Sequence, residues 1–313
     1  MKKNILFIQL VIISSISFAQ QLPLNSQYFW SDYAVNPAFT GNTKHSSIQA
    51  TYRNQWSGFK GSPKGYTLGV NHLVTQKNIG LGLVLFSDDH GGAIKQNGVI
   101  LNYSYKVVMD DYVRLDFGVS GIINQYSYDG SSIVASNLND NILFSSQNSI
   151  VPDCNIGAAF VFDDNLKIGV SAQQLFQSNI RGLNLSNSNG LTNQFKRQYN
   201  LSFSYTIANS RDLTYDLFSL AKSAFLTPVQ IDLGARLFYK GRAYLGLAYR
   251  SQDAISILVG FKKDRFVIGY GYDITTSKIR NFSNGSHDLV LVYRYKENKS
   301  RKFRQRFNYY EHF

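Results

Sequence analysis

The sequence predicts an all-β fold: an antiparallel transmembrane outer-membrane β-barrel of about 14 strands with an N-terminal hatch-like segment. Three observations lead to this prediction. The chain starts like an exported protein, and strand-like segments of alternating polarity then follow one another almost without interruption. The connections between these segments are short on one side of the predicted sheet and mostly long on the other.

Residues 1–19 have the pattern of a secretory signal peptide. Two lysines precede an apolar run, and the small residues Ser17 and Ala19 precede an expected cleavage before Gln20. The apolar run is too short for a membrane-spanning helix, and no later stretch approaches the ~20 apolar residues that such a helix needs. We therefore expect the mature chain to be exported and to cross a membrane only with strands.

The composition argues against several functional classes. The formal net charge is +12, but two of the positive charges lie in the signal peptide and no nucleic-acid recognition motif occurs. The single cysteine, Cys154, rules out an internal disulfide and a thiolate metal cluster, and we interpret it as a small apolar residue at a strand start. We expect no cofactor, no metal ion and no nucleic-acid partner.

Alternation of apolar and polar residues identifies the strands. In "VQIDLGARLFYKGRAYLGLAYR", Ile231 and Leu233 alternate with Gln230 and Asp232, and the pattern resumes after a turn at Lys240-Gly241. Fourteen segments are predicted as strands, of which 213–219 is the weakest because it also suits a short helix. They are 47–56, 66–75, 79–87, 96–108, 112–126, 154–163, 165–175, 197–209, 213–219, 228–239, 242–251, 254–262, 264–275 and 286–296.

The connections distinguish a membrane barrel from a soluble β-sandwich. Connections after even-numbered segments are tight, whereas those after odd-numbered segments are long and polar, with 252–253 as an exception. The long ones are 57–65, 88–95, 127–153, 176–196, 220–227 and 276–285. Outer-membrane barrels have short periplasmic turns and longer outer loops. In a β-sandwich, tight turns are not expected to lie on one side only. Apolar faces are therefore expected to contact lipid and polar faces to line the lumen.

The polar residues expected in the lumen carry both signs of charge, so they can pair and fill it without an uncompensated charge. They are Arg53, Arg114, Asp116, Gln230, Asp232, Arg236, Arg250, Asp273, Asp288 and Arg294. We favour a packed or plugged interior. The alternative is an open channel lined for a solute.

Two segments flank the predicted barrel at 47–296. Residues 20–46 are aromatic and turn-rich, and we interpret them as a periplasmic or hatch segment with a tight turn at Asn36, Pro37 and Ala38. A solvated leader is the alternative.

Residues 297–313 form a basic, aromatic tail, which lies in the periplasm if the strand count is right. We expect it to dock on a partner, although a disordered solvated end is the alternative. The docking residues would be Phe303, Arg304, Arg306, Phe307 and Tyr309.

Catalysis is not expected. Asp88 and Asp89 lie beside His90, and a carboxylate–imidazole pair at a barrel rim could serve a hydrolase or hold a metal ion. The run "SDDHGG" is equally typical of a solvated turn, and no second Asp–His set completes a site. We therefore assign no catalytic residue.

Several motifs, taken in order, resemble one protein family. They are "QYFWSDYAVNPAFTGN", "YRNQWSGFKGSPKGYTLGV", "PVQIDLGARLFYKGRAYLGLAYR", "IGYGYD" and "GSHDLVLVYRY", and they extend from about residue 27 to residue 296. Together they resemble the PorP/SprF family of outer-membrane proteins linked to the type IX secretion system of the Bacteroidetes. Ser286-His287-Asp288 departs conservatively from the family's usual Ser-His-Glu. The Asn-Pro-Ala turn is also similar to the hatch of fatty-acid-transporter-type barrels.

The resemblance implies a non-enzymatic role in protein secretion and gliding motility. Such a barrel would assist export or surface anchoring of large adhesins that carry a type IX C-terminal signal. Its expected partners are membrane lipids, the adhesin, and periplasmic ring or peptidoglycan-associated components. The alternative is an outer-membrane transport barrel for a hydrophobic or small polar solute.

Overall fold

Fourteen antiparallel strands form a closed barrel in the computed structural model, which describes residues 25–43, 45–74, 77–130, 146–179, 195–208, 212–224 and 227–297. Each strand pairs with its neighbours in the sequence, and β1 closes the barrel by pairing with β14. The strands are β1 His45–Asn54, β2 Lys64–Val74, β3 Ile79–Asp89, β4 Ile94–Val108, β5 Val113–Asp129, β6 Ser146–Phe162, β7 Leu166–Gln173, β8 Gln198–Ala208, β9 Leu213–Ala224, β10 Gln230–Tyr239, β11 Ala243–Arg250, β12 Ala254–Lys263, β13 Phe266–Thr275 and β14 Ser286–Glu297. The predicted fold class and strand number are confirmed.

No helix in these described ranges is long and apolar enough to cross a membrane.

The largest departure from the predicted boundaries is in β6. Residues 146–153 were expected in a loop, and Cys154 at a strand start, but β6 begins at Ser146 and pairs with β5 along its whole length. β7 pairs with β6 only from Ile156 onward, so the first part of β6 is an edge strand. A proline is tolerated on an edge because its missing N–H removes no ladder bond, which explains how Pro152 fits in a strand.

The two faces of the barrel wall differ in polarity. On β10, the outward Leu233 is 52% exposed, whereas the adjacent, inward Asp232 is only 3% exposed. The outward rows of the other strands carry most of the exposed large apolar side chains, and the inward rows carry most of the buried polar ones. This is the arrangement of a barrel whose outer face contacts hydrocarbon.

The two rims of the barrel differ in the length of their connections. One rim, here called the short-turn rim, carries the connections 75–78, 109–112, 163–165, 209–212, 240–242 and 264–265. The opposite, long-loop rim carries 55–63, 90–93, 130–145, 174–197, 225–229, 251–253 and 276–285. By the usual asymmetry of outer-membrane barrels, the short-turn rim faces the periplasm.

The outward face can be tested at Leu233. Leu233→Arg should destabilise the folded barrel by ~2–4 kcal/mol more than Leu233→Ala, because only the arginine places a charge in hydrocarbon. Urea unfolding of each variant in phospholipid vesicles measures the difference. Equal losses for Arg and Ala would mean that this face is wet.

Candidate functional site: the barrel lumen and its N-terminal segment

The N-terminal segment, residues 25–43, lies against the inward faces of the strands. It contains a 3-10 turn at Tyr28–Trp30, one helical turn at Asp32–Val35 and a second 3-10 turn at Pro37–Phe39. It descends from the long-loop rim, where Ser26 contacts the end of β1, to the short-turn rim, where Asn42 contacts the start of β5. Residues 20–24 and 44 of the predicted hatch lie outside the described ranges, and its action as a hatch stays a prediction.

At the long-loop rim, Arg53 joins two carboxylates from other strands. Its Nη1 lies 2.7 Å from Asp288 Oδ2, and its Nη2 lies 2.9 Å from Asp273 Oδ2. Ser26 bonds the same carboxylates, because its backbone N–H donates to Asp288 and its hydroxyl donates to Asp273, both at 2.7 Å. All four residues are buried. A buried ion pair is stable only when further hydrogen bonds satisfy its lone pairs, and Ser26 supplies two of them.

A second ion pair, Arg250 with Asp232, lies beside this network. Arg250 Nε lies 3.2 Å from Asp232 Oδ1, and Arg250 Nη1 lies 3.4 Å from Asp253. Gln230 Nε2 donates to Asp232 Oδ1 at 3.2 Å. Lys222 on β9 is also buried there, although the sequence placed it in a predicted outer loop at 220–227.

Farther into the lumen, Arg236 is enclosed by aromatic rings. Its guanidinium lies 3.5 Å from the ring centroid of Phe29 in the N-terminal segment, and 5.3 and 5.2 Å from those of Phe218 and Phe238 in the wall. Asp216 on β9 pairs with it. Stacking over several desolvated rings holds an arginine firmly and needs aromatics from both the segment and the wall.

The predicted turn at Asn36, Pro37 and Ala38 is the start of the second 3-10 turn. Asn36 Oδ1 accepts a hydrogen bond from the Ala38 N–H at 2.9 Å. Asn36 Nδ2 donates to the backbone carbonyls of Ala158 on β6, at 3.3 Å, and Val170 on β7, at 3.1 Å. One side chain therefore caps the turn and also fixes it to the wall.

Glycines in the wall make this close approach possible. A Cβ on Gly157 would overlap Asn36 Oδ1, and one on Gly118 would overlap the backbone of Pro37. The two glycines face each other across the β5–β6 ladder. They form a flat area on the inner wall that only residues without a side chain can provide.

Near the short-turn rim, a third charged group holds the end of the segment. Lys106 Nζ donates to the Thr40 carbonyl at 3.0 Å and lies 3.5 Å from Asp116. Arg114 pairs with Asp116 at 2.8 Å and donates to the side chain of Asn42. These contacts fix the chain just before it enters β1.

The predicted lumen residues are therefore distributed over separate ion-pair groups. Arg53, Asp273 and Asp288 form one group, Asp232 pairs with Arg250, and Arg114 pairs with Asp116. The sequence analysis did not select Asp216, which pairs with Arg236, nor Lys106, which lies near Asp116, nor the buried Lys222. Alternation within the strands could have revealed Lys106, whereas Asp216 and Lys222 lie in the strand that was hardest to identify.

Arg294 also faces inward, where it lies near an aromatic ring of the N-terminal segment. Its guanidinium lies 6.0 Å from the ring centroid of Trp30 in the N-terminal segment.

The Asp88–His90 stretch is organised as a turn. Asp89 Oδ1 accepts hydrogen bonds from the N–H groups of Gly91, at 3.1 Å, and Gly92, at 2.6 Å, and the His90 N–H donates to Ile94. Burial lowers the pKa of His90, although Asp89 acts in the opposite direction. Over the described ranges, no three His, Cys, Asp or Glu side chains are arranged to hold a metal ion. The tail residues Phe303, Arg304, Arg306, Phe307 and Tyr309 lie outside those ranges.

Comparison with known proteins gives a family and several distant structural likenesses. The model of a family described as "Type IX secretion system membrane protein PorP/SprF" matches residues 17–293. No curated protein matches the chain.

Among solved structures, the chain is similar to the toluene transporter TbuX of Ralstonia pickettii, with 9% identity, 85% of this chain and 94% of that chain covered, and a TM-score of 0.49. It is also similar to the Acinetobacter baumannii outer membrane protein Omp33 (8% identity, 82% and 100% covered, TM-score 0.47). A Pseudomonas aeruginosa FadL homologue matches with 11% identity, 83% and 93% covered, and a TM-score of 0.45. Each likeness is distant in sequence and shape, and none bears on what this chain binds.

The contact between the wall and the N-terminal segment can be tested at Gly157. Gly157→Ala should weaken docking of the segment by about 1–3 kcal/mol, because the added methyl group overlaps the Asn36 side chain. Proteinase K cleavage of the folded barrel in detergent, mapped by mass spectrometry, should then be faster within residues 25–43. Gly121→Ala is the matched control, since a Cβ there meets nothing within 4 Å. Equal cleavage of both variants would contradict the docking geometry.

Proposed function

The chain belongs to the PorP/SprF family of type IX secretion system membrane proteins, and from this premise we propose that it assists export or surface anchoring of large adhesins through protein–protein contacts. It is an outer-membrane β-barrel. The cargo would carry a type IX C-terminal signal. On the periplasmic side, the proposed partners are ring or peptidoglycan-associated components of the secretion machinery.

The observation that carries this proposal is the occupation of the lumen by the chain's own N-terminal segment. The segment bonds to the β13 and β14 carboxylates, to Asn102 on β4, and to Ser171 on β7. Its aromatic side chains pack against Phe218 of β9 and Tyr244 of β11. A barrel filled in this way is better suited to act through its rims than to pass a solute through its centre.

The long-loop rim offers a surface for such contacts. The connections 55–63 and 276–285 are joined by backbone hydrogen bonds, from Ser57 N–H to the Gly285 carbonyl at 2.7 Å and from Asn284 N–H to the Ser57 carbonyl at 2.6 Å. These joined loops expose Phe59 and Phe282, the latter 74% exposed. Exposed aromatic side chains on a braced loop are typical of protein-binding surfaces. We assign cargo contact to this rim.

We further propose that the protein is not an enzyme and that the tail after Lys296 docks on a periplasmic partner. A cationic tail gains little from individually screened charges, so its aromatic residues would have to bury apolar area in the contact. The asparagine-capped turn and the ion pairs would then position the N-terminal segment in the lumen. The tail would attach the barrel to its periplasmic partner.

Affinity capture from outer membranes of the native organism tests the proposal. The wild-type barrel should co-purify with an adhesin, and a Phe59→Ser, Phe282→Ser variant should retain at least about tenfold less of it, because the exposed anchors are lost. A Met109→Ser, Tyr112→Ser variant is the matched control, since both side chains are exposed on the opposite rim.

Truncation after Lys296 should reduce capture of periplasmic components and leave capture of the adhesin unchanged. An Asp88→Ala, His90→Ala variant should keep adhesin display.

Recovery of the wild-type barrel without an adhesin, together with steady solute uptake by vesicles that contain it, would favour the transport alternative. An equal loss of adhesin in the rim variant and its control would remove the assignment to the long-loop rim. Loss of display in the Asp88, His90 variant at normal folding would revive a catalytic or metal site.

A further inference from the structure

Basic residues are concentrated on one part of the short-turn rim. The connection between β10 and β11 contributes Lys240 and Arg242. Next to it, Lys263 ends β12 and Arg265 lies in the connection between β12 and β13. All four side chains are exposed. The two turns are adjacent because the Lys262 N–H donates to the Arg242 carbonyl at 2.6 Å. They therefore form one cationic ridge.

The acidic residues nearby are fewer than the basic ones. Asp264 lies between Lys263 and Arg265, and Asp212 lies beside Lys240, whose N–H donates to the Asp212 carbonyl at 2.7 Å. Lys262 lies between the outward Phe261 and Lys263, so it faces inward and is not part of the ridge. The short turns across the barrel are acidic instead, and they carry Asp110, Asp111, Asp163 and Asp164. Among the short turns that the structure describes, an anion would therefore meet the most favourable surface on this side of the rim.

The ridge faces the membrane as well as the periplasm. The Lys240 ammonium lies 5.3 Å from the ring centroid of Tyr239, which is an outward and exposed side chain at the end of β10. Lys263 belongs to the outward row of β12, in alternation with Phe261. A cation that pointed into the lumen would not lie beside the outward side chains of Tyr239 and Phe261.

Exposed aromatic side chains fix the height of the ridge. Tyr239, Phe261 and Phe266 lie on the outward face at the strand ends next to the basic turns, and the Phe266 ring centroid is 4.9 Å from that of Tyr293. Aromatic residues in this position form the girdle at the membrane–water interface of a barrel. The four cations therefore lie at the level of the lipid head groups.

We propose that Lys240, Arg242, Lys263 and Arg265 bind the head group of an anionic phospholipid in the periplasmic leaflet. The cations of the two adjacent turns pair with its phosphate oxygens, while Tyr239, Phe261 and Phe266 contact the glycerol backbone and the first part of the acyl chains. Clusters of arginine and lysine at a membrane interface bind anionic lipids in this way, and guanidinium groups match phosphate geometry well. The site is independent of adhesin binding.

The test uses the purified full-length barrel and cardiolipin, whose two phosphates match a ridge of several cations. Native mass spectrometry during a cardiolipin titration gives an apparent Kd for the wild type and for a variant in which Lys240, Arg242, Lys263 and Arg265 are all changed to Gln. Binding should weaken at least about tenfold in this variant, since each charge near an anionic surface contributes on the order of fivefold. The matched control changes Lys60, Lys64, Lys278 and Arg280 to Gln on the long-loop rim, and it should leave this binding unchanged.

A photoreactive cardiolipin identifies the location independently. Cross-links in the wild type should map to residues 239–243 and 261–266, and they should be lost in the ridge variant, whose heat-modifiable mobility confirms that the barrel has folded. The proposal is wrong if the ridge variant keeps the wild-type Kd or the same cross-links. It is also wrong if the variant loses capture of a periplasmic protein while cardiolipin binding is unchanged, because the ridge would then serve that protein.

Discussion

The interaction between Arg53 and the carboxylates of Asp273 and Asp288 connects the first strand of the barrel to the last two. Arg53 lies in β1, and the carboxylates lie in β13 and β14, so the ion pairs bridge the seam where the barrel closes. Ser26 donates to both carboxylates, which ties the N-terminal segment to the same seam. Because buried charges are costly unless they are paired and hydrogen-bonded, closure of the barrel and docking of the segment stabilise each other.

The inner wall complements the segment along its whole descent. At the seam, the segment contacts charged side chains of the wall. Around Arg236, it contacts aromatic rings of the wall, and at Asn36 it contacts the backbone of Gly118 and Gly157. Near the short-turn rim, Lys106 and Arg114 bind the segment again. A lumen lined in this way explains why both signs of charge occur on the inward faces. It also leaves the rims as the surfaces available for the contacts that we propose with cargo, lipid and periplasmic components.

Much of the fold could be predicted because a strand between lipid and a polar lumen must alternate in polarity. Leu233 and Asp232 show this alternation clearly. The start of β6 could not be predicted, since an edge strand with Pro152 lacks the constraint of a second neighbour. Within the lumen, sequence identified Arg53, Asp273 and Asp288 as inward charges but not their bond to Ser26, which is 262 positions from Asp288. Contacts at that separation depend on the register of the closed barrel, which no local pattern encodes.

Ion conductance in planar bilayers tests most directly whether the N-terminal segment fills the lumen. The mature full-length chain should show little steady conductance, whereas a chain that lacks residues 25–39 should show a stable open-pore level, provided that both migrate as folded, heat-modifiable barrels. A steady open-pore current from the full-length chain, or the same current with and without the segment, would contradict the account.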